Sequence, residues 1–455
     1  MTYYKIADKN YSYKLGLNTV SDANFNGALK GDSGGLCFCS VKYIFDHLSR
    51  GNKLCMLTIP DAAKVFRRGN KYVANQMLIQ RMVEIDYDMA DYLIEKGANI
   101  IGYDNYAIRT AAEYGHLDVV KCLINHGVNV AAGNNYAIRF AAKNGHLDIV
   151  KYLIKYGANI AAEDNYAIRF AAKNGHLEVV GHLIECGANV TADGNSAICE
   201  AAESGCLEVV KCLVENRANA AAKNNYAICW AARRGHLQMI KYLIECEGVD
   251  ITADNNCPIR WAAQYGHLEI VELLVEQKAD VTVNDNEAVR FAARNKHWKV
   301  MECFIKHGAD ITACKNIAFD EAVSRNDIEG IKILIGYGAD VTYGENYAIR
   351  EAVKFGSLET VKCLVEYGAD VTVNNNSIII TAMKRHRLDI ITYLIEHGAD
   401  PTVQDNFVIE YAYINGYMKI VKYLIDNGFD VGNKYAIRYA IWNGLRKFSR
   451  IFKSK

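Results

Sequence analysis

The chain has 455 residues, 51% apolar and 23% charged, the usage of a globular protein with a core to bury. Lys plus Arg and Asp plus Glu number 52 each, so no net field draws it toward nucleic acid or an anionic membrane, and any partner is chosen locally. No run of about 18 apolar residues marks a membrane span, "MTYYKIADKN" lacks the pattern of a secretory signal, and 14 cysteines without a C-x-x-C pair read as the reduced thiols of a cytoplasmic protein.

Residues 1–74 differ in texture from the rest. "YYKIA", "YKLGLN", "GLCFCS" and "KLCMLTIP" are short, rich in β-branched and aromatic residues and bounded by Gly, Asn, Asp and Pro, which predicts strands; "VKYIFDHLSR" at 41–50 predicts a helix, making a small α+β module. Gly31-Asp32-Ser33-Gly34-Gly35 spells the nucleophile signature of trypsin-like proteases. Such a mechanism needs its histidine upstream of the serine, yet the first histidine is His47, and strand-like "LCFCS" follows where a hydrolase elbow needs a helix. Ser33 is therefore expected in a glycine turn entering a strand. Cys37 and Cys39, two apart on a strand, could share a metal with His47 and Cys55, but the spacing fits no zinc template and free thiols are expected.

Residues 75–104 pair "NQMLIQRMVEI", read as a first helix, with "ADYLIEKGAN", read as a second. From Asn105 the chain repeats at 30 residues, with copies opening at Asn105, Asn135, Asn165, Asn195, Asn225, Asn256, Asn286, Asn316, Asn346, Asn376 and Asn406, one insertion near Glu247, and a half-copy over 434–455. In the copy over 135–164 a first helix is predicted from Tyr136 to Asn144, with Asn135 as N-cap and Gly145 as left-handed stop. A second, "HLDIVKYLIKYG", places Leu147, Ile149, Val150, Leu153 and Ile154 at helical spacing and ends at Gly157. Neither helix can bury its apolar face alone; stacked copies bury it continuously.

Ala141, Ala142, Gly145, His146, Leu153 and Gly157 to Asn159, with their counterparts in most copies, carry the A-A-x-x-G-H and L-L-x-x-G-A-D pattern of the ankyrin repeat, which the segment from about 75 onward resembles. The resemblance implies an all-α ankyrin solenoid after the α+β module, with 75–104 as a divergent N-capping repeat and 434–455 as a C-terminal cap. The wording of the repeats and of the N-terminal module is similar to ankyrin proteins of giant amoeba-infecting DNA viruses, mimivirus-like. The family's 33-residue period is shortened by three, all in the inter-copy loop, and T-P-L-H becomes Y-A-I-R, with Pro258 of "CPIR" confirming the register. Arg217 and Lys278 replace stop glycines while Lys296, Asn326 and His386 replace turn glycines, so the array is expected to be softest over 286–405.

Six histidines (His116, His146, His176, His236, His267, His297) follow the turn residue one repeat or more apart, too far to share an ion, and are expected to bond structurally; Cys122, Cys212, Cys303 and Cys363 fall at one second-helix position and are expected to pack. After Y-A-I-R comes the position that in the ankyrin family varies and faces the concave surface: Thr110, Phe140, Phe170, Glu200, Trp230, Trp261, Phe291, Glu321, Glu351, Thr381 and Tyr411. Aromatics there beside Arg139, Arg169, Arg260 and Arg290 have the chemistry of a protein interface. The competing reading packs those rings against the next copy, while the interrupting glutamates argue against a nucleic-acid groove. The expectation is a non-catalytic, cofactor-free, monomeric scaffold that binds a protein, a host protein if the chain is viral, with no nucleic acid or membrane as partner. The alternative is an enzymatic or metal-dependent N-terminal module with the array as its targeting arm.

Overall fold

The computed structural model describes residues 2–7, 13–20, 35–309, 317–355 and 357–429; Ser33 and Gly34, Asn316 and the half-copy expected over 434–455 lie outside the described residues. The chain divides into two compact units, one ending at Asp250 and the other beginning at Ile251, where the extra residue near Glu247 falls.

Among the described residues the first unit opens with seven strands: β1 Tyr3–Ile6, β2 Gly16–Thr19, β3 Leu36–Phe38, β4 Lys53–Thr58, β5 Val65–Arg68, β6 Lys71–Ala74 and β7 Gln76–Glu84. They pair antiparallel in two sheets, ordered β1-β4-β7-β2 and β3-β6-β5, and a bridge from Tyr4 to Cys39 joins the two. Leu36, Phe38, Cys55, Leu57, Ala74, Met77 and Ile79 form one buried cluster from both sheets. The first helix expected in "NQMLIQRMVEI" is corrected by β7: Met77 and Ile79 point into that cluster while Leu78 and Gln80 face solvent, a period of two imposed by pairing with β4.

The place of that helix is taken by Val41–Arg50, a 3₁₀ helix burying Ile44, Phe45 and Leu48, which packs on the first helix of the copy at 105. His116 Nε2 donates to Leu48 O (2.8 Å), just as His146 Nε2 donates to Glu113 O (3.1 Å) one copy further on. The capping copy is thus discontinuous, with Val41–Arg50 as its first helix and Tyr87–Glu95 as its second, and β4 to β7 between them.

Each later described copy is a helix pair. In the copy at 135, Ile138, Ala141, Ala142, Val150 and Leu153 are fully buried, and the second helix, Leu147–Lys155, ends before left-handed Gly157. The first helix, Ala132–Lys143, opens differently from the sequence expectation. Gly133, Asn134 and Asn135 are three consecutive left-handed residues (φ 60°, 55° and 60°) before the backbone turns right-handed. The same left-handed turn opens the copies at 105, 165, 195, 225, 256, 346 and 376. An L-residue loses about 1–2 kcal/mol in this region, least for Gly, Asn and Asp, and these turns are built mostly of those three residues. One tight turn replaces the longer family loop, which accounts for the 30-residue period.

Asn135 consequently does not cap its own helix. Its Oδ1 accepts from the backbone N–H of Asn159 (2.7 Å), whose own Oδ1 accepts from Ala161 N–H (2.9 Å), so each turn grips the start of the next. Asn195 with Asn219, Asn225 with Asp250, and in the second unit Asn256 with Asp280, Asn346 with Asp370 and Asn376 with Asp400 repeat the bond at 2.8 to 3.1 Å.

Candidate functional site

In the first unit the row after Y-A-I-R holds half-buried Phe140, Phe170, Glu200 and Trp230. Tyr136, one turn earlier on the same helix face, stacks on Phe140 (centroids 3.9 Å apart), Phe140 lies against Tyr166 of the next copy (5.6 Å), and Tyr166 stacks on Phe170 (4.0 Å). Four rings from two copies thus form a continuous ladder. Trp230 packs on Tyr226 (5.3 Å) with the Arg233 guanidinium 4.4 Å from its ring. In the second unit Trp261 stacks on Tyr265 (6.3 Å) and Tyr411 lies against Phe407 (5.6 Å), while Phe291 is half-buried. Tyr136, Tyr166, Tyr226 and Tyr265 were not among the site residues expected from the sequence; their spacing of four from the second ring was the available signal.

The arginines close the left-handed turns. Arg139 donates from Nε to Asn134 O (3.0 Å) and from Nη2 to Gly133 O (3.1 Å), Arg260 does the same to Asn255 O and Asp254 O (both 2.9 Å), and Arg290 reaches Asn284 O (3.3 Å). Two of these arginines also meet carboxylates. Arg169 lies 3.3 Å from Asp193 and 3.7 Å from Glu200, and Arg260 2.5 Å from Glu287. Burial raises the Glu200 carboxyl above its ordinary range, against the pull of Lys173 and Arg169. The face therefore offers aromatic surface in which ion pairs at Arg169 and Arg260 interrupt the row of positive charges.

The turn histidines bond to backbone: His176 Nε2 donates to Lys143 O (3.0 Å), His236 to Glu203 O (3.1 Å) and His297 to Gln264 O (3.1 Å). Each ring lies over the preceding turn glycine, where a methyl group on Gly145 would stand 2.6 Å from His176 Nδ1. Cys122, Cys303 and Cys363 are buried and Cys212 half-buried, with burial pushing each thiol up.

In the N-terminal module Cys37, Cys39 and His47 line one cavity of about 10 Å³, room for a single water, together with Lys5, Arg50 and Lys71. Burial pushes the Cys39 thiol up to about 12 and Cys55, in the strand core, up to about 11; burial and then the Lys71, Arg50 and Lys5 charges lower His47 to about 4. Three cations around the cavity make it a poor site for a further cation. Among the described residues, the one group whose ligand atoms converge is elsewhere: Asp91, Cys122 and His126.

No helix among the described residues is long and apolar enough to cross a membrane. The family model for ankyrin repeats matches residues 79–164, 161–225, 219–285, 319–405 and 349–435. An ankyrin repeat protein of Acanthamoeba polyphaga mimivirus is 31% identical over 132 residues, 26% of this chain and 64% of that relative, so the chain spans just under two thirds of the relative's length. With stacked helix pairs, turn glycines under histidines and a family match over most of its length, the chain belongs to the ankyrin repeat family.

Proposed function

We propose that this protein is a non-catalytic scaffold that binds another protein, a host-cell protein given its likeness to a viral relative, through the first-helix face of its repeats. The observation that carries the reading is the half-exposed ladder of Tyr136, Phe140, Tyr166 and Phe170 flanked by Arg139, the residue types that dominate interface hot spots. Packing against the next copy does not compete with this role. A ring clamped on both sides loses little side-chain entropy on docking, and a preformed face retains more of its contact energy as affinity. The balanced overall charge and the carboxylates paired with Arg169 and Arg260 favour a protein over a nucleic acid. The reading places the scaffold in the cytoplasm as a monomer.

Affinity capture with the full chain from infected amoebae, compared with Phe140→Ala/Phe170→Ala and with Trp230→Ala/Trp261→Ala, tests it. Retention of a specific partner is expected to fall about tenfold or more in at least one double variant, the effect of losing an interface anchor. If every captured protein survives both, the first-helix face is not the binding surface.

A further inference from the structure

Asp91 comes from the second helix of the capping copy, Tyr87–Glu95, and Cys122 and His126 from the second helix of the next copy, Leu117–Asn125, and its C-cap. Cys122 and His126 are four apart, hence one above the other on one helix face, and Asp91 meets that face from the neighbouring helix. His126 Nε2 and Asp91 Oδ1 are 2.6 Å apart, and one ligand atom from each of the three residues lies within 4.8 Å of the other two. Cys122 is fully buried at the base of the group, while the imidazole and carboxylate are about one-third exposed at its mouth. Asn125 Nδ2 donates to Tyr87 OH (2.9 Å) beside it, latching the two helices together.

We propose that Asp91, Cys122 and His126 form a binding site for a zinc-type divalent transition metal ion, which staples the capping copy to the first full repeat. The donor set is one thiolate, one imidazole and one carboxylate, the mixture that suits a borderline-soft ion and not magnesium or calcium. Donors around a tetrahedral ion of this kind stand about 3–4 Å apart, so side-chain rotation alone closes the group. Without metal the Cys122 thiol is protonated, since burial and then Asp91 push it up to about 11; the ion takes the thiolate and the proton goes to solvent. The fourth position faces water. The second unit supplies an internal contrast: Glu272, Cys303 and His307 occupy equivalent positions, but His307 Nδ1 is turned onto Cys303 O (2.8 Å), and this set does not converge.

Full-length protein, reduced and stripped of metal, is titrated with Co(II), and the thiolate-to-Co(II) charge-transfer band is followed in wild type, Cys122→Ala, His126→Ala, Asp91→Asn and Cys186→Ala, the last an exposed thiol elsewhere. The expected result is a one-equivalent band in wild type and Cys186→Ala, lost in Cys122→Ala, with Co(II) affinity about tenfold or more weaker in the other two. Zn(II) is expected to raise the unfolding temperature of wild type and not of His126→Ala. Absence of the band from wild type, or its persistence unchanged in Cys122→Ala, overturns the proposal. Should Cys122→Ala fail to fold, the two variants at the exposed mouth decide, and unchanged Co(II) affinity in both is equally fatal.

Discussion

Lys296 Nζ and Asp327 Oδ2 stand 3.2 Å apart at the step where, one copy earlier, the ring of His297 lies over Gly266. The neighbouring steps show the same exchange. Where Asn326 replaces the turn glycine, its Oδ1 accepts from Ser357 N–H (2.9 Å) and Thr360 Oγ1 (3.0 Å), and where His386 does, its Nε2 meets Tyr417 OH (3.0 Å). At these three steps the histidine goes with the glycine, because its ring would occupy the space the new Cβ takes. Lys296, Asn326 and His386 keep φ between 54° and 63°, so the left-handed backbone survives and the side-chain pair offsets its strain.

The two positions are therefore expected to be coupled. Asp327→His alone places an imidazole against the Lys296 side chain and removes the cap from Asp327 Oδ1 to Gly330 N–H (3.1 Å), for a loss of about 2 kcal/mol. Lys296→Gly/Asp327→His restores the glycine-histidine step and is expected within about 1 kcal/mol of wild type. A double-mutant cycle by chemical denaturation measures this; simple additivity would show that the steps are independent.

Asn135 needs both its backbone tolerance and its amide. Asn135→Gly keeps the left-handed conformation and loses the acceptor for Asn159 N–H, a cost of about 1 kcal/mol. Asn135→Ala loses both and is expected to cost about 2 kcal/mol. Hydrogen exchange at Asn159 should speed up in both variants; equal stability of Ala and Gly variants would refute the strained turn.

Asp320 gives the second unit a pH dependence. Burial and then the Glu351 charge raise its carboxyl from 3.8 to about 6. The native state thus holds this proton more tightly than the unfolded chain, so its stabilising contribution is complete below about pH 4 and is lost as pH rises through 6. Asp320→Asn is expected to stabilise by about 1 kcal/mol at pH 7, allowing for the group's half exposure, with the gain vanishing near pH 4. Denaturation midpoints at the two pH values check it; a gain independent of pH would assign the effect to something other than ionisation.

Much of this architecture was legible as periodicity. Apolar spacing located the second helices, Gly145 and Gly157 located their boundaries, and Pro258 set the register, because each is a local constraint on a single residue. The histidines were read correctly as structural. The left-handed turns were not legible: "GNN" and "EDN" also suit an N-cap, and three successive left-handed residues are too costly for local propensity to predict. Only bonds such as those from Arg139 to Gly133 O and Asn134 O, with Asn159 N–H on Asn135, reveal what holds them.

By itself the sequence determined that helix pairs repeat, which faces are apolar and where glycine stops them, since these follow from neighbours within a few residues. Tertiary structure alone decided that Gln76–Glu84 is a strand, that Val41–Arg50 caps the array, and that Asp91 meets Cys122 and His126. Each of these depends on contacts between residues about 20 to 70 positions apart, and the free energy that selects among local conformations there comes from the partner surface.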